Sequence, residues 1–318
     1  MAAQIFGPYV LLEKLVTSAM AEIFLAIAQR ETGVPKLYAV KRMHPNLAEV
    51  PDFRKMFRHE CAIARNLNHP NLESFVEDGE IDGRMYIVTE YLHGRSLERL
   101  LDERESEPLP APLAIYIARE LARALVSLHQ ASEGGAPLNI IKRDLSPNDI
   151  FLTSDGRVKM MGLGVAKSAA QLEQTQPGTI KGKFSYMSPE QARMEPLDQR
   201  SDVYSLGLVL REMLSGRPAF LGATDMETFQ LNARAELPRL HALPDPAQAK
   251  LDWVLDNALA VARDLRYPNA QTMADELDEV LKATPLAGAE ELARVLNEVF
   301  GRELAEEKSR AQNYLANN

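Results

Sequence analysis

The charged side chains that could do chemistry stand in short, separated stretches. Lys41 lies in YAVKR, Glu60 on a helical run, and Arg143, Asp144 and Asp149 in KRDLSPND; Glu190 follows in MSPEQA, Asp202 in SDVYSLGLVL and Arg266 in RDLRYP. Ammonium, guanidinium and carboxylate groups are suited to electrostatic positioning and proton handling. Thiol chemistry has little to work with, because Cys61 is the single cysteine. That count excludes an intrachain disulfide framework and a multi-cysteine zinc site, and it fits a reducing compartment. Cys61, Trp253 and the scattered methionines read as core or helix-face residues, with no metal or redox chemistry suggested nearby.

The elements that must hold these groups fall into two blocks. A length of 318 residues is enough for about two folding units, or one large two-lobed unit. Up to residue 95 the chain is rich in strand-like stretches: Tyr9 to Leu15, Glu22 to Ala28, Leu37 to Arg42, Glu73 to Glu77 and Met85 to Glu90. The turn signal ETG (Glu31 to Gly33) separates the second from the third. One helix is predicted among them, Asp52 to Leu67, with Phe53, Met56, Phe57 and Cys61 on one face and Pro70 closing it off. Beyond Gly94 helical patterns dominate, at Leu113 to Leu128, Val203 to Leu214 and Leu251 to Ala262. Strands followed by helices predict an α+β, bilobal fold. Leu292, Val295, Leu296, Val299 and Phe300 recur at helical spacing in the tail, which predicts a helix packed back on the body and frayed last residues.

Composition narrows the function classes. Charged residues make up 25% and apolar residues 46%, which is ordinary globular usage. The formal charge of −9, from 36 basic and 45 acidic residues, argues against a nucleic-acid binder. No run approaches the length of a membrane helix, and MAAQIFGPYVLLEK lacks the positive start of a signal peptide. A soluble, cytoplasmic protein with no membrane span is expected.

The order of the motifs then becomes specific. YAVKR, the helix bearing Glu60, the hinge-like IVTEY (Ile87 to Tyr91), KRDLSPND, MSPEQA, SDVYSLGLVL and RDLRYP follow one another as in a protein kinase. Over about residues 8 to 283 the chain resembles the bacterial Hanks-type serine/threonine kinases. The resemblance implies a small lobe at 8–92, a large lobe at 93–283 and a C-terminal helical extension at 284–318. It also implies roles. Lys41 and Glu60 would form the phosphate-positioning pair, and Ile23, Ala39 and Phe151 would sandwich adenine. Asp144 matches the residue that accepts the substrate proton and Arg143 its neighbour, but with no carboxylate at 162 the two are expected to be remnants, Asp144 anchoring the fold and not working as a base. Glu190 and Arg266 would form a buried ion pair pinning the activation segment, and Asp202 would brace the catalytic loop. Thr175 and Thr179 would be phosphosites able to pair with Arg143.

The sequence also departs from the family's pattern. Val16, Ser18 and Ala21 stand where three loop glycines are usual, and Lys142 replaces the histidine before Arg143. Asp149 replaces a metal-holding asparagine. Gly162 replaces the metal-binding aspartate of the DFG segment, with Leu163 and Gly164 keeping its other two positions. Ser146 stands at a usual lysine position, and Lys183 is a candidate for the displaced charge. A glycine has no side-chain oxygen to offer magnesium, so the expectation is a pseudokinase. Such a protein would be no enzyme but a signalling scaffold or regulator, with no metal and no cofactor beyond weak or metal-independent ATP binding. Its partner would be an active Ser/Thr kinase or another signalling component, docking on the large lobe or the tail. The alternatives are an atypical low-activity Ser/Thr kinase or nucleotidyltransferase, and a nucleotide-sensing binding module without turnover.

Overall fold

The computed structural model describes residues 4–18, 20–28, 36–162, 183–237, 240, 247–284 and 287–316. Six antiparallel strands build the small lobe: β1 (Gln4–Phe6), β2 (Tyr9–Thr17), β3 (Ala21–Ala28), β4 (Leu37–Met43), β5 (Phe75–Ile81) and β6 (Arg84–Glu90). They are ordered β1-β2-β3-β4-β6-β5. Helix α1 (Pro51–Arg65) packs on one face, burying Phe57 and Cys61 against Met43, Met85 and Ile87. The turn ETG lies outside the described residues. The strand expected at Glu73 to Glu77 begins instead at Phe75 and runs on to Ile81. Its first residues are drawn elsewhere, because Glu73 N–H donates to the Met160 carbonyl and Leu72 bridges to Met160.

The large lobe is helical: α2 (Leu97–Glu103), α3 (Ala111–His129), α4 (Pro189–Ala192), α5 (Arg200–Ser215), α6 (Asp225–Arg234), α7 (Ala247–Ala258), α8 (Ala270–Lys282) and α9 (Ala289–Ala316). The sequence reading leaves α2, α4, α6 and α8 unassigned, and α7 is displaced four residues toward the N-terminus, running from Ala247 to Ala258 in place of the expected Leu251 to Ala262. Short strands β7 (Gly94–Ser96), β10 (Ile150–Thr153) and β11 (Val158–Met160) pair as β11-β10-β7, and β8 (Ser132–Glu133) with β9 (Ala136–Pro137) forms a small hairpin. Helix α5 is buried on nearly every side, from Ser201 to Leu214, so it is the axis on which α3 and α7 pack. A helix buried all round belongs in the middle of a bundle, and the charged groups it takes inside, such as Asp202, are there with hydrogen-bond partners. It ends at Gly216, whose φ is +76° and where an added Cβ would lie 1.8 Å from the Ser106 carbonyl oxygen. Only glycine accepts both conditions.

Helix α9 joins the lobes. Leu292, Leu296 and Phe300 are buried in the large-lobe core, while Tyr314 and Leu315 pack beside Leu12, Leu25 and Ile27 of the small lobe. Between them Arg95 donates to both oxygens of Glu307 at 2.9 Å and to Glu303 at 3.0 Å, and its guanidinium stacks over Phe300. The two core regions are thus tied across the hinge by one continuous helix. The architecture is the α+β, bilobal protein-kinase fold.

Candidate active-site cleft

The roof of the cleft is the face of β3 and β4 that carries Ile23, Leu25, Ala39 and Lys41. Register dictates this, since Ile23 pairs with Lys41 and Leu25 with Ala39. Lys41 Nζ reaches Glu60 Oε1 of α1 at 2.6 Å and lies over the Phe57 ring. The helix is therefore held against the sheet by an ion pair whose lysine side chain is still about one-third exposed. Phe151 on β10 contributes from the large lobe and is half-buried.

Behind the cleft the two lobes meet at an ion pair that sequence reading missed. Lys159, 2% exposed on β11, donates to Glu90 Oε1 at 2.6 Å and to the Leu72 carbonyl at 3.0 Å. Burial works against the charge of Glu90, but the bonds from Lys159 and the Ser74 N–H outweigh it and leave its pKa lowered. A lysine inside the apolar run VKMM is the one signal that could have found it. Nearby Gly94 lets the hinge strand lie on β10, since a Cβ there would sit 2.0 Å from the Leu152 carbonyl oxygen.

The catalytic-loop equivalent hangs from Asp202 of α5. Its Oδ2 accepts from Lys142 N–H and its Oδ1 from Arg143 N–H, each at 2.8 Å, while His129 lies 2.7 Å from Oδ2. His129 had no sequence signal. Arg143 is exposed and held at a φ of +66°, a strained position for a non-glycine residue. Gln191 secures it further by donating to the Arg143 carbonyl at 2.6 Å.

Lys142 is 1% exposed, and its ammonium lies 2.9 Å from Asp144 Oδ1 and 3.8 Å from Asp149 Oδ1. Burial disfavours the charge, yet Asp144 and Asp149 outweigh it and hold the pKa above the ordinary lysine value. Ser146 donates to Asp149 Oδ2 at 2.5 Å. The positive charge at this loop therefore comes from beneath, through Lys142. The side chain of Lys183 lies outside the described residues.

Gly162 is exposed, with a φ of +59° and open space where a Cβ would stand. Leu163, Gly164, Thr175 and Thr179 lie outside the described residues. Val16 and Ser18 are exposed and Ala21 is buried, and none of them has a positive φ. The β2–β3 turn is closed without glycine, by Ser18 N–H and Oγ donating to the Ala21 carbonyl, each at 2.9 Å, and by His44 meeting the Ser18 carbonyl at 2.8 Å.

Below the cleft, Glu190 and Arg266 form a bidentate pair at 2.7 and 2.8 Å, with neither side chain more than 2% exposed. Ser201 adds a third bond to Glu190 at 2.7 Å, and the guanidinium stacks on Tyr204. Burial would raise the Glu190 pKa, but Arg266 and Ser201 outweigh it and lower it. A second buried contact escaped sequence reading: Tyr186 donates to Glu212 Oε2 at 2.5 Å.

Residues 9–285 match the protein kinase domain family. The chain belongs to that family. The kinase domain is 37% identical over 311 residues to the tyrosine-protein kinase MasK of Myxococcus xanthus, covering 96% of this chain and 48% of that protein. It is 34% identical over 271 residues to the serine/threonine-protein kinase PknB of Mycobacterium leprae, covering 84% of this chain and 42% of that protein. The solved kinase domain of PknI from Mycobacterium tuberculosis superimposes with a TM-score of 0.64 at 28% identity, covering 89% of this chain and 99% of that chain. The kinase domain spans less than half the length of the two curated relatives. These relatives correct the expectation that the protein is no enzyme, because the proteins it matches along most of its length are named as kinases. No helix among the described residues is long and apolar enough to cross a membrane.

Proposed function

We propose that this kinase domain transfers the γ-phosphoryl group of ATP to a serine or threonine hydroxyl of a protein, as an atypical and slow member of its family. The observation that carries the reading is the closed Lys41–Glu60 pair of the small lobe, 2.6 Å across, in a chain that has Asp144 and Asp149 on its catalytic-loop equivalent. Phosphoryl transfer relies on positioning and charge stabilisation more than on covalent work by the protein.

The metal complement must be smaller than usual. Among the described residues no three histidine, cysteine or carboxylate side chains come together as a metal cluster, and Gly162 has no side-chain oxygen to offer. Asp149 alone can serve, which suits one magnesium ion completed by nucleotide phosphates and water. When bound, such an ion supplies charge neutralisation at the phosphates. The chain's own residues do the rest. Lys41 holds phosphate oxygens from the roof, and Ile23, Ala39 and Phe151 hold the base. Asp144 orients the acceptor hydroxyl and takes its proton. One carboxylate fewer at position 162 lowers the rate.

Incubation with labelled ATP, magnesium or manganese, and generic protein substrates tests this. Transfer that falls at least about a hundredfold in Asp144→Asn is expected. No transfer by the unmodified protein, or transfer indifferent to that substitution, refutes it. Phosphoamino-acid analysis of the product separates serine and threonine from the tyrosine that the name of MasK carries.

A further inference from the structure

Resting on the phosphotransfer reading above, the role of Lys142 goes further than a tolerated departure. A buried ammonium is costly unless it is paired, and this one is paired with two carboxylates of the site itself, Asp144 at 2.9 Å and Asp149 at 3.8 Å. Its backbone is not free to carry it elsewhere, because Lys142 N–H is held by Asp202 at 2.8 Å. Asp149 is engaged on both oxygens, by Lys142 on one and by Ser146 on the other. The space between the proton-accepting carboxylate and the metal-position carboxylate thus already contains a cation belonging to the chain.

We propose that Lys142 is a positioning residue whose ammonium acts as a built-in counter-cation for Asp144 and Asp149, so that the site takes one divalent cation with its nucleotide and no second. Two features then make sense together. The loss of a carboxylate at Gly162 and the gain of an ammonium at Lys142 both reduce the demand for metal. Their effects on charge run in the same direction, each making the cleft less negative by one unit. Asp149, replacing a neutral amide, returns one negative charge, and that carboxylate is one of the two that Lys142 faces.

Manganese binding provides a readout that needs no turnover. Mn2+ is titrated into the full chain, alone and with the non-hydrolysable analogue adenylyl imidodiphosphate, and free Mn2+ is followed by electron paramagnetic resonance. The unmodified protein should bind one Mn2+ with the analogue. Lys142→Met should bind Mn2+ at least tenfold more tightly, or take up a second ion, while Lys142→Arg keeps the charge and should retain a stoichiometry of one. If Lys142→Met does not fold, Lys142→His at pH 8 carries the same test, since a neutral imidazole also removes the charge. Two Mn2+ in the unmodified protein, or equal Mn2+ affinity with and without the lysine charge, overturns the proposal. Absence of phosphoryl transfer with the expected Mn2+ pattern would count against the kinase reading alone, and transfer with two bound ions would count against Lys142 alone.

Discussion

Replacing Glu212 by glutamine should change how the stability of this kinase domain depends on pH. Glu212 is 6% exposed on α5 and accepts from Tyr186 Oη at 2.5 Å. Burial raises its pKa from 4.5 to about 7, and the neighbouring charges of Asp102 and Glu98 push the same way, against the bond from Tyr186. With the native pKa above the unfolded one, the native state binds more protons between these values. Stability is therefore fully present below about pH 4.5 and is lost as pH rises through 7. The full loss is roughly 3 kcal/mol, from 1.36 kcal/mol per pKa unit, and deep burial leaves little solvent screening to reduce it. A glutamine keeps an acceptor for Tyr186 and cannot ionise. Urea unfolding of both proteins at pH 5 and pH 8 isolates the effect from every other titrating group. Between those values the stability difference should move by about 2 to 3 kcal/mol in favour of Glu212→Gln. Parallel profiles, with a difference constant within about 0.5 kcal/mol, would refute the assigned burial cost. The site is affected too, since Tyr186 leads into Ser188 and the α4 capping box that carries Glu190.

Three further outcomes are expected. Arg266→Ala leaves Glu190 buried without its partner and should destabilise the domain by about 3 to 5 kcal/mol in denaturant unfolding; a loss below about 1 kcal/mol contradicts the pinning role. Gly162→Asp enters open space at a φ of +59°, which aspartate accepts better than most residues. With a second carboxylate in place, the phosphoryl-transfer rate should rise about tenfold at saturating magnesium, and an unchanged rate would mean that position 162 does not face the phosphates. Ending the chain after residue 287 removes α9 and exposes the surfaces under Leu292, Leu296 and Phe300. That should lower the melting temperature by about 10 °C or more; an unchanged melting temperature would show that the helix is not part of the folded core.

Much of the fold was legible because its signals are local. The short apolar run Leu37 to Val40, bounded by charge, and the periodic apolar face of Leu113 to Leu128 are signals that burial leaves on a strand or a helix within a few residues. The strand around Glu73 was misplaced for the opposite reason. Its hydrogen bonds go to Met160, far along the chain, and pairing across that distance leaves no trace in a window of seven residues. Helix α2 was missed as a short element set by its Ser96 cap.

The candidate site divides in the same way. Residue types at motif positions, including Lys41, Asp144, Asp149 and the absent carboxylate at Gly162, belong to the sequence itself. Loss of one ligand was weighed there as loss of activity, because a sequence shows what has been removed at a position more readily than what has arrived from beneath it. Only the tertiary structure decided where the Lys142 ammonium goes, that Lys159 ties β11 to Glu90, and that Arg95 clamps α9 to β7 through Glu307. Each depends on which charged group ends up within about 4 Å of another in a medium where water no longer screens them. Distance of that kind is a property of the packed chain, set by the burial of α5 and the hang of the loop from Asp202, and no spacing along the sequence encodes it.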